Sequence, residues 1–207
     1  MNDLIMSFFK ERGITVKTYN NRIMFYGRLI NYDIEQADEK FILYQTDDNG
    51  NEDRIKSSYD FNNLIITIML EANKVVANSH DQIETEKKEL FNNNKKEEIE
   101  YKLVNKYKQF FSKDVIQPNK VFIVMDGDLY IAGFASDSKI YESISTKDYE
   151  TALNYAYYKI KDMEEYAKSF KDLVDKKFVE ESRYSEFLAG YLLEPFEDVE
   201  IKKINRL

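Results

Sequence analysis

Runs that suit strands and stripes that suit helices alternate along this chain. Asn2 or Asp3 can cap a short first helix ending near Gly13. "TVKTYNNRIMFYGRLINYDI" then reads as two strands around Asn20-Asn21, because Asn tolerates the positive φ of tight hairpin turns. "KFILYQTDDNGNEDRIKSS" reads as a third strand, a turn at Asn49-Gly50 and a short return strand over Arg54–Ser57. Asp60 caps a helix from Phe61 to about Val76, although its "LIITIML" is β-rich in composition. From Asp81 to Ser112 the pattern predicts one long polar helix. Its second half has an apolar stripe of Ile99, Leu103, Tyr107, Phe110 and Phe111, and Asn92–Asn94 mark a break or an exposed kink.

After Pro118 the periodicity returns to strands. Asp126-Gly127 between two apolar runs is the strongest local hairpin signal in the chain, and a third strand follows over Lys139–Ile144. Ser145 with Asp148 predicts a capping box. The helix beyond it carries Leu153, Ala156, Ile160, Met163, Ala167, Phe170 and Val174 in alternating steps of three and four. That stripe packs inside the fold or forms a self-associating coiled coil that makes a homodimer. A last helix over Arg183–Leu193 stops at Pro195, and Val199–Ile204 return as an edge strand.

The expected fold is α+β: two small antiparallel β-meander or hairpin-plus-helix modules joined by long helices. Residues 1–80 form the first module, 81–117 a helical linker that pairs with the Leu153–Val174 helix, and 118–207 the second. An echo links the modules. Asn21, Ile23, Phe25 and Gly27 match Gly127, Leu129, Ile131 and Gly133 at a constant offset of 106. The glycine in each second strand marks a bulge or a close backbone approach.

Composition narrows the chemistry. A chain of 207 residues buries roughly 70% of its unfolded surface and needs no covalent staples. With no cysteine there is no disulfide, thiolate metal site or cysteine nucleophile, which suits a reducing cytoplasm. The first residues lack the basic start of a signal peptide, and the longest apolar run, Leu64–Leu70, is far short of the ~20 residues of a membrane span. The lone histidine, His80, sits in a polar stretch and suggests no catalytic role. There is no P-loop, dinucleotide fingerprint or nucleophile elbow. "DDNGNED" resembles a calcium loop, but with Gly50 at its sixth position the twelfth falls on Lys56, so the required carboxylate is missing. No catalytic residue, metal ligand or cofactor is expected.

The net charge, 30 bases minus 38 acids or −8, argues against direct nucleic-acid binding. The acids are uneven. Glu180, Glu181, Glu186, Glu194, Glu197, Asp198 and Glu200 face a single base, Arg183. They and the Asp47, Asp48, Glu52 and Asp53 turn are the candidate sites for a basic protein partner. The bland alternative is a solvated, solubilising face. Sixteen tyrosines supply large contact area at low entropic cost, and richness in Asn and Lys fits an AT-rich coding sequence.

The hairpin, "STKDYETALNYAYYKIKDMEEYAKSF" with its D-x-x-x-A helix start at Asp148–Ala152, and "DVEIKKI" together resemble small accessory proteins from phages of low-G+C Gram-positive bacteria. The resemblance spans Val121–Ile204. It implies a phage or mobile-element origin and a host bacterial cytoplasm, and its functional world includes anti-CRISPR proteins, which bind Cas effectors. The expected function is a non-enzymatic anti-defence protein that occludes a nucleic-acid-binding site by protein–protein contact. A dimeric structural or adaptor phage protein and a carboxylate–metal nuclease remain the alternatives.

Overall fold

The computed structural model describes residues 2–28, 30–47, 49–77, 80–92, 94–137, 139–192 and 200–203. The protein is α+β, and the chain divides into two compact units. Met1–Asn78 with Leu173–Val179 make the first, and Ser79–Asp172 with Glu180–Leu207 the second. Residues 81–117, expected as a linker, therefore group with the second unit.

In the first unit, helix α1 (Asp3–Glu11) starts where the Asn2 side chain accepts a hydrogen bond from the Leu4 N–H at 2.7 Å, satisfying one orphan donor of the first turn. Five antiparallel strands follow: β1 (Thr15–Tyr19), β2 (Arg22–Tyr26), β3 (Asn31–Ala37), β4 (Lys40–Thr46) and β5 (Glu52–Ser58), each paired with the next. The expectation of two strands before Lys40 is corrected to three. The Gly27 N–H donates to the Ile30 carbonyl at 2.7 Å, and this tight turn separates β2 from β3. Helix α2 (Phe61–Ala77) begins where Asp60 accepts from the Asn62 N–H at 2.9 Å. Leu64, Ile65, Ile66, Ile68, Met69 and Leu70 are all buried, so tertiary packing overrides the β-like composition.

The second unit opens with α3 (His80–Asn92) and α4 (Lys96–Lys106), not one long helix. The Asn94 amide donates to the Leu90 carbonyl at 2.7 Å, which takes an acceptor the helix would need to continue. Phe111, expected on a helix, instead opens β6 (Phe111–Lys113), a three-residue strand parallel to β7 (Lys120–Asp126). β8 (Leu129–Ala135) and β9 (Lys139–Thr146) extend the sheet, and β10 (Glu200–Lys203) forms its far edge beside β9. Between β9 and β10 come α5 (Tyr149–Asp175), a 3-10 turn (Glu181–Arg183) and α6 (Tyr184–Leu192). Ser145 lies in β9, so the expected capping box does not form. Asp148 caps α5 alone, accepting from the Glu150 and Thr151 N–H groups, each at 3.2 Å.

The two-residue loops at Asn20-Asn21, Asp38-Glu39 and Gly127-Asp128 all have positive φ at their first residue: 52°, 53° and 61°. The second hairpin loop is therefore Gly127-Asp128 rather than Asp126-Gly127. Loop for loop, Asn20 corresponds to Gly127, an offset of 107 and not 106. A one-residue slip sends every side chain to the opposite face, so the sequence echo pairs residues that are not structural equivalents. Gly27 turns the chain, whereas Gly133 sits at a β-bulge against Tyr141.

Candidate protein-binding site

The acids singled out in sequence fall on both units. Asp47 closes its own turn, accepting from the Asn49 and Asn51 N–H groups and the Asn51 amide, each at 2.8 Å. Those bonds hold its carboxyl below the usual range. Glu52 turns onto a sheet face and meets Arg22 at 2.5 Å. Asp53 is exposed on β5. In the second unit Glu180 and Glu181 are exposed at the 3-10 turn, and Glu186 is gripped by Arg183 through two bonds of 2.7 Å. Glu200 takes its place on β10 opposite Glu142. Asp48, Glu194, Glu197 and Asp198 lie outside the described residues.

The heptad stripe is spent inside the fold. Leu153, Ala156, Ile160 and Met163 are fully buried and Phe170 nearly so, while Ala167 and Val174 are half-buried. The same helix also buries Ala152, Tyr157, Tyr166 and Leu173, so its apolar surface is wider than a coiled-coil seam. A face already covered within one chain is not available to a second copy.

A further cluster of charge lies on the first sheet, centred on Arg22. Paired residues of antiparallel strands share a face. Arg22, Met24 and Tyr26 of β2 therefore stand beside Asn31, Asp33 and Glu35 of β3, and beside Ile42 and Tyr44 of β4. Phe25 meets Phe9 of α1 and Phe41 meets Phe61 of α2, at centroid distances of 5.0 and 5.3 Å, so both helices pack on the opposite face. On the face turned away from α1 and α2, Arg22 approaches Asp33 at 3.8 Å, Glu35 at 3.1 Å and Glu52 at 2.5 Å. Its guanidinium stands 5.3 Å from the Tyr44 ring centroid.

These contacts require a curled sheet. Arg22 on β2 and Glu52 on β5 are separated by two strands, about 14 Å across a flat sheet, and by a further offset of about 14 Å along the strands. Side chains cannot span that distance, so the sheet bends toward this face. The bulge in the β4–β5 register between Leu43 and Tyr44 accommodates the bend. The result is a concave surface with three carboxylates around one guanidinium. Tyr19 is 68% and Tyr26 38% exposed on the same side. Lys17 and Arg54 occupy the two edge strands of this face.

Asp33 is the anomaly of the cluster. Only 6% of it is exposed, and its Oδ1 has no hydrogen-bond partner, as is also true of the buried Asn31 Oδ1 two residues earlier. Burial pushes the Asp33 carboxyl up, Arg22 pulls it down, and nearby Glu52 pushes it up again. The pattern Asn31, Asp33, Glu35 alternating with Tyr32 and Ile34 was the available sequence signal.

A second charged network joins three helices of the second unit. Glu86 of α3 accepts hydrogen bonds from Lys106 and from the Tyr107 hydroxyl at 2.9 Å, and it pairs with Lys161 of α5 at 2.7 Å. Burial disfavours the Glu86 charge, but the bonds from Lys106, Lys161 and Tyr107 outweigh it and hold the carboxyl at about 2. A cavity of about 390 Å³ opens beside it between α3 and α4, with Leu90, Tyr101, Leu103 and Tyr107 in its walls.

The folded-state value of Glu86 lies below its ordinary 4.5, so its stabilisation is present above pH 4.5 and lost as pH falls toward 2. Glu86→Gln should lower stability at neutral pH by about 1–2 kcal/mol. Urea titrations at a series of pH values should show the two proteins converging over that acid window. A constant gap down to pH 2 would contradict the assignment.

Among the described residues, no group of three His, Asp or Glu side chains could hold a metal ion, and no helix is long and apolar enough to cross a membrane. No protein-family model, no curated protein and no solved structure matches this chain.

Proposed function

We propose that the protein is a non-enzymatic binder that works by protein–protein contact, as an anti-defence protein of the anti-CRISPR type does. Its target is a basic, nucleic-acid-binding surface, such as that of a Cas effector. The supporting observation is the concave face of the first sheet. Three carboxylates gather there around one guanidinium, and exposed tyrosines flank them. Carboxylates placed against a basic surface steer association and compete with phosphate for the same cations. Tyrosines add rigid contact area. Glu180 and Glu181 offer further exposed acid on the second unit.

The test is affinity capture of the tagged protein from a low-G+C Gram-positive lysate containing defence systems. Inhibition of the captured effector is then assayed at stoichiometric ratio. A Cas effector or other nucleic-acid-binding defence protein, recovered and inhibited, is the expected result. Recovery of the bait alone would sink the reading. Reversing Glu180 and Glu181 to Lys should weaken capture about tenfold if that patch takes part. Undiminished capture would remove it from the mechanism.

A further inference from the structure

We propose that the concave face of the first sheet is a receptor for one arginine side chain of a partner protein, with Asp33 and Asn31 as its acceptors. The inference rests on the reading of the protein as a binder of basic protein surfaces, and it gives that reading a point of attachment.

Buried polar atoms normally find partners, because each one left unpaired costs about 1–3 kcal/mol. Here two acceptors are left unpaired on one face of one strand, Asn31 Oδ1 and Asp33 Oδ1. Residues two apart on a strand are separated by about 7 Å. A planar guanidinium with five N–H donors can reach both acceptors, whereas an ammonium acts as a single point. Asp33, Glu35 and Glu52 gather around Arg22 at the centre of the cluster, while Lys17 and Arg54 lie on the edge strands of the same face. A phosphate would meet those carboxylates directly, so nucleic acid is disfavoured as the occupant.

The structure already holds an internal example of the ligand. The Arg22 guanidinium bonds Glu35 and Glu52 and lies over Tyr44, yet it stays 3.8 Å from the nearer Asp33 oxygen. It satisfies the rim and leaves the deepest carboxylate under-bonded. Met24 and Tyr26 flank that carboxylate, and the Tyr26 hydroxyl rests on the Met24 sulfur at 2.8 Å. Both are cheap to move. Met is unbranched and adaptable, and a hydroxyl–thioether contact is weak. An incoming guanidinium that parts them gains two acceptors and an aromatic wall.

The probe is a blocked Gly-Arg-Gly tripeptide, with its uncharged citrulline counterpart as control, titrated into the full chain by NMR. The expected result is saturable movement of the Met24 methyl and of the Tyr26, Asp33 and Tyr44 amides, with millimolar affinity. Citrulline should give none. Asp33→Asn should weaken binding about tenfold or more. This swap keeps shape and removes a buried charge, so the protein should fold, and its amide spectrum checks that. Should it not fold, Asn31→Ala must show the loss instead. No saturable shift, shifts centred elsewhere, or equal binding by the variants overturns the proposal.

The two readings fail separately. A partner captured equally by wild type and Asp33→Asn, with no tripeptide binding, removes the arginine receptor and leaves the binder. Tripeptide binding lost in Asp33→Asn, with no partner captured, does the reverse.

Discussion

Gly133→Ala should cost the second unit at least about 4 kcal/mol, a loss in the range that marks a specific structural fault. A Cβ at this position would lie 2.0 Å from the Tyr141 carbonyl oxygen, 3.0 Å from its carbon and 3.1 Å from the Glu142 Cα. All three are backbone atoms of the neighbouring strand, so no side chain can rotate away. The register of β8 and β9 shifts between Ala132 and Gly133, and the close approach is part of that bulge. Relief would require parting the two strands, with loss of their hydrogen bonds and of the stacked Phe134–Tyr141 pair, whose rings are 4.5 Å apart. Gly190 of α6 is the internal control. A Cβ there meets nothing within 4 Å, and alanine is the better helix former by up to about 1 kcal/mol. Urea unfolding of the two variants should move in opposite directions. A Gly133→Ala protein with wild-type stability would show that the two strands are not this close.

Ile160→Ala should destabilise by about 2–4 kcal/mol, and Ile160→Glu should prevent the second unit from folding. Ile160 is fully buried, with Ala156 and Met163 equally so one turn away on either side. This substitution also separates the two readings of the α5 stripe. If the stripe joined two chains, Ile160→Glu would give a folded monomer from a wild-type dimer. If the stripe is core, the variant loses its chemical-shift dispersion whatever its oligomeric state. Light scattering beside NMR distinguishes these, and the second outcome is expected.

Much of the fold was legible where one residue type decides a local conformation. Asn20, Asp60 and the Asp126-Gly127-Asp128 stretch marked turns and caps because their side chains or φ preferences act over two or three residues. The stripe from Leu153 to Phe170 was legible because burial repeats with the helical period. What escaped depends on partners distant in sequence. Phe111 and Ser112 read as the end of a helix because a three-residue strand is too short to show alternation, and pairing with β7 makes them extended. Asn31–Ala37 merges with its neighbour in the sequence because Gly27 suits a bulge or a close backbone approach within one strand as well as the turn it makes.

The candidate site was the least legible. Glu52 stands out in sequence only as part of a local excess of acid, but its role comes from Arg22, which the curl of the sheet brings to it. Nothing in the sequence marks Asp33 as buried, because one acid in a strand is ordinary. Its burial and its unpaired oxygen exist only once β2, β3 and β4 lie side by side.

The order in which the strands pair bears on how the protein is made. In the first sheet every strand neighbours the one just synthesised, so pairing can proceed from β1 to β5 as the chain leaves the ribosome. The second sheet has no such convenience at its outer edge. β9 stays open until α5 and α6 have been made and β10 follows them. During that interval an unpaired strand edge is exposed, and Lys139, Glu142 and Lys147 in and beside β9 are the kind of charged residues that discourage pairing with the wrong chain. A ribosome stalled before residue 200 should therefore carry a closed first sheet and an unfinished second one.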